Sequence, residues 1–161
     1  MDEVSFKPIG IIYSPFKRPE GTPIQPASSF GTKGEVIVYP EYQKGLKDLE
    51  GFSHIILIYY FHLVSNVKLL VKPYMDEDFH GVFATRAPAR PNPIGISVVR
   101  LLKVEDNILH VENVDVVDGT PLLDIKPYVP DFDGVHESKV GWLEKHLHKL
   151  KHTRDDGRFA K

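Results

Sequence analysis

The 161-residue sequence has no cysteine, which removes disulfides, thiolate metal sites and cysteine nucleophiles together and fits a reducing compartment. Long apolar runs are missing too. The longest, Ile55 to Phe61, is too short to span a bilayer, and the opening MDEVSFKPIG has no signal-peptide core. A cytoplasmic protein without a membrane association is the expectation. Neither charge sign dominates: 20 basic against 22 acidic side chains leave a net charge of −2. That excludes a strongly basic nucleic-acid binder, so any RNA contact must come from a local patch. There is no GxGxxG after a strand, no GxxxxGK[ST] and no GxSxG turn, which sets aside a Rossmann fingerprint, a phosphate loop and a serine nucleophile elbow. His148 and His152 lie one helical turn apart but have no third partner of matched spacing, so no metal site is expected. Strands do not alternate with long helices, which argues against a doubly wound sheet.

Proline is present in quantity, 13 in all. Gly81 to Arg100 reads GVFATRAPARPNPIGISVVR, and Pro88, Pro91 and Pro93 forbid an ordinary helix or central strand there. A stiff loop is expected between strands at Val82–Ala84 and Ile94–Leu102. It carries Arg86 and Arg90, whose guanidinium forks suit anion capture. A second Pro-rich loop runs from Ser14 to Gly34, and loops of that length in small domains are usually functional or disordered.

Strands are predicted at Val4–Tyr13, Glu35–Tyr39, Ser53–His62, Ile94–Val104, Asn107–Val117 and Leu122–Tyr128, with a short helix over Glu41–Leu49 behind Pro40. Ser53–His62 is apolar almost throughout and reads as buried on both faces. The fold class is therefore all-β: a small closed or nearly closed barrel with one short helix. Val140, Leu143, Leu147 and Leu150 are spaced 3, 4, 3, the stripe of a C-terminal amphipathic helix. Its other side carries Lys139, Lys145, Lys149 and Lys151. That face could meet RNA phosphates, or it could simply be solvated. The boundaries are a barrel over residues 1–137 and a helix with a frayed tail over 138–161.

The segment NVDVVDGTPLLDIKPY holds Asp115 near a strand end, where an inward carboxylate needs a partner such as a ribose hydroxyl or an amino group. Asp118 sits in an Asp-Gly turn, which alone would explain it. Lys126 and Tyr128 share a face of the last strand, at a pocket mouth or on an edge.

The strings ATR…RPNPIG and DGTP…DIKPY, with IGIIYSPF near the start and LEGFSHIILIYYFH between, are rare and cover about residues 6 to 131. In them the chain resembles the TsaA/TrmO-like family. The resemblance implies a homodimeric β-barrel that binds S-adenosylmethionine (SAM) without a Rossmann domain. It also implies N6-methylation of threonylcarbamoyl-adenosine beside the anticodon of tRNA. Carried onto this chain, it puts SAM against Pro26, Ala27 and Ser28 after PIQP, and against His62 and Leu63. It adds Arg86 and Ile96, and the strand Glu112, Asn113, Val114 and Asp115. Asp118, Lys126 and Tyr128 are the candidates for the acceptor end. The rival readings are a SAM sensor without methyl transfer and a structural barrel that binds no SAM.

Overall fold

Six stretches that bring an apolar or small side chain inward at alternate positions pair edge to edge until the last meets the first. They are β1 (Gly10–Tyr13), β2 (Lys33–Val38), β3 (His54–Tyr60), β6 (Ile94–Glu105), β7 (Ile108–Glu112) and β8 (Thr120–Pro127). The order around the closed barrel is β1-β2-β7-β6-β3-β8, antiparallel throughout. Two further strands, β4 (Leu70–Val71) and β5 (His80–Gly81), form a separate two-stranded ladder. The computed structural model describes residues 2–25, 29–150 and 152–159.

Closure leaves no sheet edge on the barrel. Its interior is filled by Ile12, Val36, Ile55, Leu57, Leu109 and Leu122, each at most 1% exposed. Truncating one of these to alanine should cost about 2–5 kcal/mol. A smaller cluster of Val71, Val82, Ala87, Ala89 and Phe159 lies outside the barrel under the Pro-rich loop.

The structure shortens two expected strands, to Gly10–Tyr13 and Ile108–Glu112, makes the expected helix over Glu41–Leu49 a 3-10 segment over Pro40–Leu46, and differs from the sequence reading in four further ways. β3 is not buried on both faces: Ile55, Leu57 and Tyr59 point inward while His54, Ile56 and Ile58 stay half-exposed, because a barrel strand has one interior side. Val82–Ala84 is a 3-10 turn, closed by the Thr85 hydroxyl donating to the Val82 carbonyl at 2.8 Å. Beyond α1 (Pro130–Asp133), the C-terminal stripe is two 3-10 turns, Gly141–Lys145 and Leu147–Lys149. Gly141 at φ +56° and His146, held near Asp76 at 3.5 Å, interrupt the longer helix. Residues 154–159 are docked and not frayed: Arg154 bridges Pro23, and the Asp155 N–H donates to the Thr22 carbonyl at 2.8 Å.

Candidate functional site

The Pro-rich segment between the 3-10 turn and β6 is rigid because Arg90 is turned inward. Its Nη1 donates to the carbonyls of Thr85 at 2.9 Å and Ala87 at 3.1 Å. Ala87 and Ala89 are buried beneath it. Arg90 is therefore spent on the loop, and Arg86 is the guanidinium presented outward. Its Nη1 donates to Gln25 Oε1 on the opposite loop, at 3.1 Å.

Inside the same end of the barrel lies a buried polar chain. Tyr59 on β3 pairs with Ser97 on β6 at 2.8 Å, and the Ser97 hydroxyl donates to Asp115 Oδ1 at 2.6 Å. A serine has one proton, so while Ser97 donates to the carboxylate Tyr59 must donate to Ser97. All three are buried. Burial pushes the Asp115 carboxyl up to about 7, with the Ser97 bond and the Arg86 charge pulling it part of the way back. Burial and the Asp115 charge also raise Tyr59 well above an ordinary tyrosine. Gly95 makes room for this chain: a side chain there would run into the Tyr59 and Phe61 rings.

Asp115 and Arg86 open into one cleft of about 230 Å³. Its apolar walls come from Leu63, Val64, Ile94 and Ile96, and its far side from Pro23, Ile24 and Gln25 of the first Pro-rich loop. Tyr74, Asp155 and Phe159 complete it, so the C-terminal segment forms part of the wall. Among the described residues no group of three or more His, Asp or Glu is arranged to hold a metal ion, and no helix is long and apolar enough to cross a membrane.

Of the residues expected from the sequence, His62, Leu63, Arg86, Ile96 and Asp115 line this cleft. Burial lowers the affinity of His62 for its second proton. Pro26, Ala27 and Ser28 lie outside the described residues. Glu112, Asn113 and Val114 do not line the cleft. Asn113, at φ +72°, accepts from the Gly31 N–H and donates its own N–H to Thr32, while Val114 is core, so this stretch anchors the first Pro-rich loop. Asp118 flanks the cleft end, but its carboxylate is taken by Lys17 at 2.9 Å and the Ser14 N–H at 2.9 Å, and the Lys17 bond holds it below the usual carboxylate range. Lys126 pairs with Asp124 at 3.0 Å beside Ile56, and the Tyr128 N–H reaches the His54 carbonyl. Six strand steps, about 20 Å, separate Lys126 from Thr120 at the cleft.

The sequence reading missed Tyr59, Ser97 and Gln25. The first two were detectable in principle: they are polar residues interrupting the apolar inward-facing runs of their strands, beside Ile55 and Leu57 and beside Val99 and Leu101.

Residues 11–134 match the model of the tRNA-methyltransferase O N-terminal domain. A probable S-adenosyl-L-methionine-binding protein of Pyrococcus abyssi is 62% identical over 156 residues, 97% of this chain and 85% of that protein. A tRNA (adenine(37)-N6)-methyltransferase of Mus musculus is 37% identical over 141 residues, covering 83% of this chain and 33% of that one. The crystal structure of TrmO from Pseudomonas aeruginosa superposes with a TM-score of 0.73 at 39% identity, over 87% of this chain. The chain spans 62% of that solved protein's length.

Proposed function

Because the chain belongs to the tRNA-methyltransferase O N-terminal domain family, we propose that it is a SAM-dependent tRNA methyltransferase acting on N6 of an adenosine beside the anticodon, in its threonylcarbamoyl form. The observation that carries this reading is the cleft in which a buried carboxyl, Asp115, and an outward guanidinium, Arg86, meet apolar walls. SAM is a zwitterionic amino acid with an added sulfonium, so it needs an anion partner, a cation partner and apolar faces. The residues present fit it. Arg86 suits the α-carboxylate and Asp115 the positive groups. Leu63 and Ile96 suit the adenine, with His62 and the loop residues Pro26, Ala27 and Ser28 around them. Glu112, Asn113 and Val114 act on the ligand through the loop they anchor.

When bound, SAM supplies a methyl group on a sulfonium, whose transfer to N6 leaves a neutral thioether and releases one proton. The chain's part is to hold the two reactants in line and exclude water. Asp115 is neutral below about pH 7 in the ligand-free site, and a cation beside it favours the carboxylate, so binding should expel a proton in mildly acidic solution. The Tyr59–Ser97 pair fixes the carboxyl's orientation.

The relatives named as tRNA methyltransferases support the activity, and the P. abyssi relative supports the cofactor. We also assign the cytoplasm and a homodimer. Within one chain Lys126 and Tyr128 lie far from the cleft, so a part for them in the acceptor site, beside Asp118, requires a second copy to bring them there. We divide the chain into a barrel, 1–137, and a C-terminal appendage, 138–161, that closes the site.

The test is incubation of the purified protein with SAM and with tRNA carrying or lacking the threonylcarbamoyl group, followed by nucleoside mass spectrometry. A methylated threonylcarbamoyl-adenosine is the expected product. Methylation of the bare adenosine alone would overturn the finer substrate. SAM binding with no methylated nucleoside would leave a sensor.

A further inference from the structure

Next to the donor cleft lies a second one of about 460 Å³, walled by Phe83, Ala84 and Thr85 on one side and by Trp142, Leu143, Leu147 and Leu150 on the other. It is not separate from the first. Ile24, Gln25, Tyr74 and Arg86 line both, so Arg86 stands on the ridge where the two meet. Its outer wall comes from residues 142–150, beyond the 11–134 span of the family domain. The leucines of the amphipathic stripe thus face a cleft, not the barrel core.

The wall is firmly built. The Trp142 indole donates to the Ala84 carbonyl at 2.7 Å and stacks on the His80 ring at 4.5 Å between centroids. His80 is in turn held by Asp76 at 2.8 Å, which also lies 3.5 Å from His146. Across from it Phe83 is 75% exposed, a large aromatic ring left at the cleft lip. Lys145 and Lys149, both exposed, flank the leucines.

We propose that this second cleft takes the unpaired adenine base of the RNA acceptor and presents its exocyclic nitrogen across Arg86 to the donor cleft. The inference rests on the methyltransferase reading and deepens it by giving the acceptor a place. Three observations carry it. Methyl transfer needs donor and acceptor in contact, and only a cleft that shares a wall with the first provides that within one chain. Single-stranded bases are held by stacking on aromatic and apolar side chains, which Phe83, Trp142 and the leucines supply. The lysines above them suit the flanking phosphates.

Trp142 is the chain's single tryptophan, so its emission reports on this cleft alone. The experiment is a fluorescence titration, without SAM, using an anticodon stem-loop RNA and the same RNA with the acceptor base removed. The intact RNA should change Trp142 emission saturably, and the abasic RNA should bind without the change. An equal change from both, or none from either, would overturn the proposal. Phe83→Ala should weaken binding of the intact RNA about five- to hundredfold, the range of one lost base stack. It should leave abasic RNA and SAM affinities in place, since Phe83 is exposed and outside the donor cleft; an unchanged intact-RNA affinity counts against the proposal. Failure of methyl transfer with a normal base-dependent signal would sink the enzyme reading and leave the cleft standing.

Discussion

At one end of β3, Tyr59 lies inside the barrel against Ser97 and Asp115; at the other, His54 sits at the surface against Ser53 and the Tyr128 ring. β8 shows the same contrast, with buried Thr120 at the cleft and Lys126 paired to Asp124 in solvent. The strands are continuous, so the difference comes from what the barrel ends are given to hold. One end has irregular backbone, from the Pro-rich loops and the C-terminal segment, and it retains a buried ionisable group at a cost in stability. The other keeps its charges in water, where they cost and contribute little. The cost of holding ligand chemistry is thus confined to one end of the sheet.

The largest effect that would test this contrast is the pH dependence of stability. Asp115 ionises in the folded chain near pH 7, against 3.8 for an ordinary aspartate, because burial opposes its charge. Between those values the unfolded chain gives up a proton that the folded chain keeps. This contribution is therefore fully present below about pH 4 and lost as the pH rises through about 7. The loss is on the order of 4 kcal/mol. Asp115→Asn should remove it, and its ligand-free melting temperature at pH 8 should exceed the wild type's. A variant that melts lower at pH 8 would mean the buried chain is a net structural asset and the contrast false. SAM affinity should move the other way, rising with pH in the wild type and becoming both weak and flat in the variant.

Next in size is Arg86→Ala, which should weaken SAM about ten- to a hundredfold, the value of a charge-assisted contact of roughly 1.5–3 kcal/mol. The melting temperature should hold, because the side chain is exposed and its hydrogen bond to the half-buried Gln25 is a solvent-exposed one. Calorimetry giving an unchanged dissociation constant would remove Arg86 from the carboxylate. A smaller change is expected from Lys145→Gln with Lys149→Gln. RNA affinity should fall and its log–log salt dependence flatten by roughly 0.7–0.9 per lost phosphate contact, with SAM affinity intact. Unaltered RNA binding across a salt series would make these lysines a solvated face.

The smallest effect belongs to the far end. Lys126 and Asp124 form an exposed pair, worth at most about 1 kcal/mol. Lys126→Ala should leave both melting temperature and SAM affinity where they are. Transfer rate sharpens the comparison: a loss would mean that the far end of one copy serves the cleft of another, and sedimentation should then give a dimer. An unchanged rate would leave Lys126 a surface residue.

The sequence disclosed the barrel and the Arg86 loop because both rest on local signals. Strand periodicity and proline geometry act over a few residues, and the first rare string carries Arg86 and Ile96 of the cleft. It marked Asp115 as a carboxylate near the end of an expected strand and through the family resemblance, although that strand stops at Glu112. What it could not give were meetings across the chain. Arg90 and Arg86 have the same chemistry and neighbours, and only the folded loop separates the one bound inward to carbonyls from the one facing out. Phe159 belongs to a cluster with Val71 and Ala89, and no periodicity connects those positions. The leucine spacing did mark a shared face, but whether that face covers a core or lines a cleft depends on what stands opposite.

Asp155 and Phe159, two residues of the cleft wall, follow every barrel strand in the chain, which implies an expected order of assembly. A ribosome delivers every barrel strand before this segment, so β1 and β8 can close the barrel while the donor site still lacks a wall. Arg154 and Asp155 then fasten the loop at Gly21, Thr22 and Pro23, and Phe159 seals the cluster beneath. A chain that has closed its sheet is therefore expected to enclose a ligand only after this segment docks: truncation before Arg154 should keep the barrel's melting transition and lose SAM affinity by calorimetry.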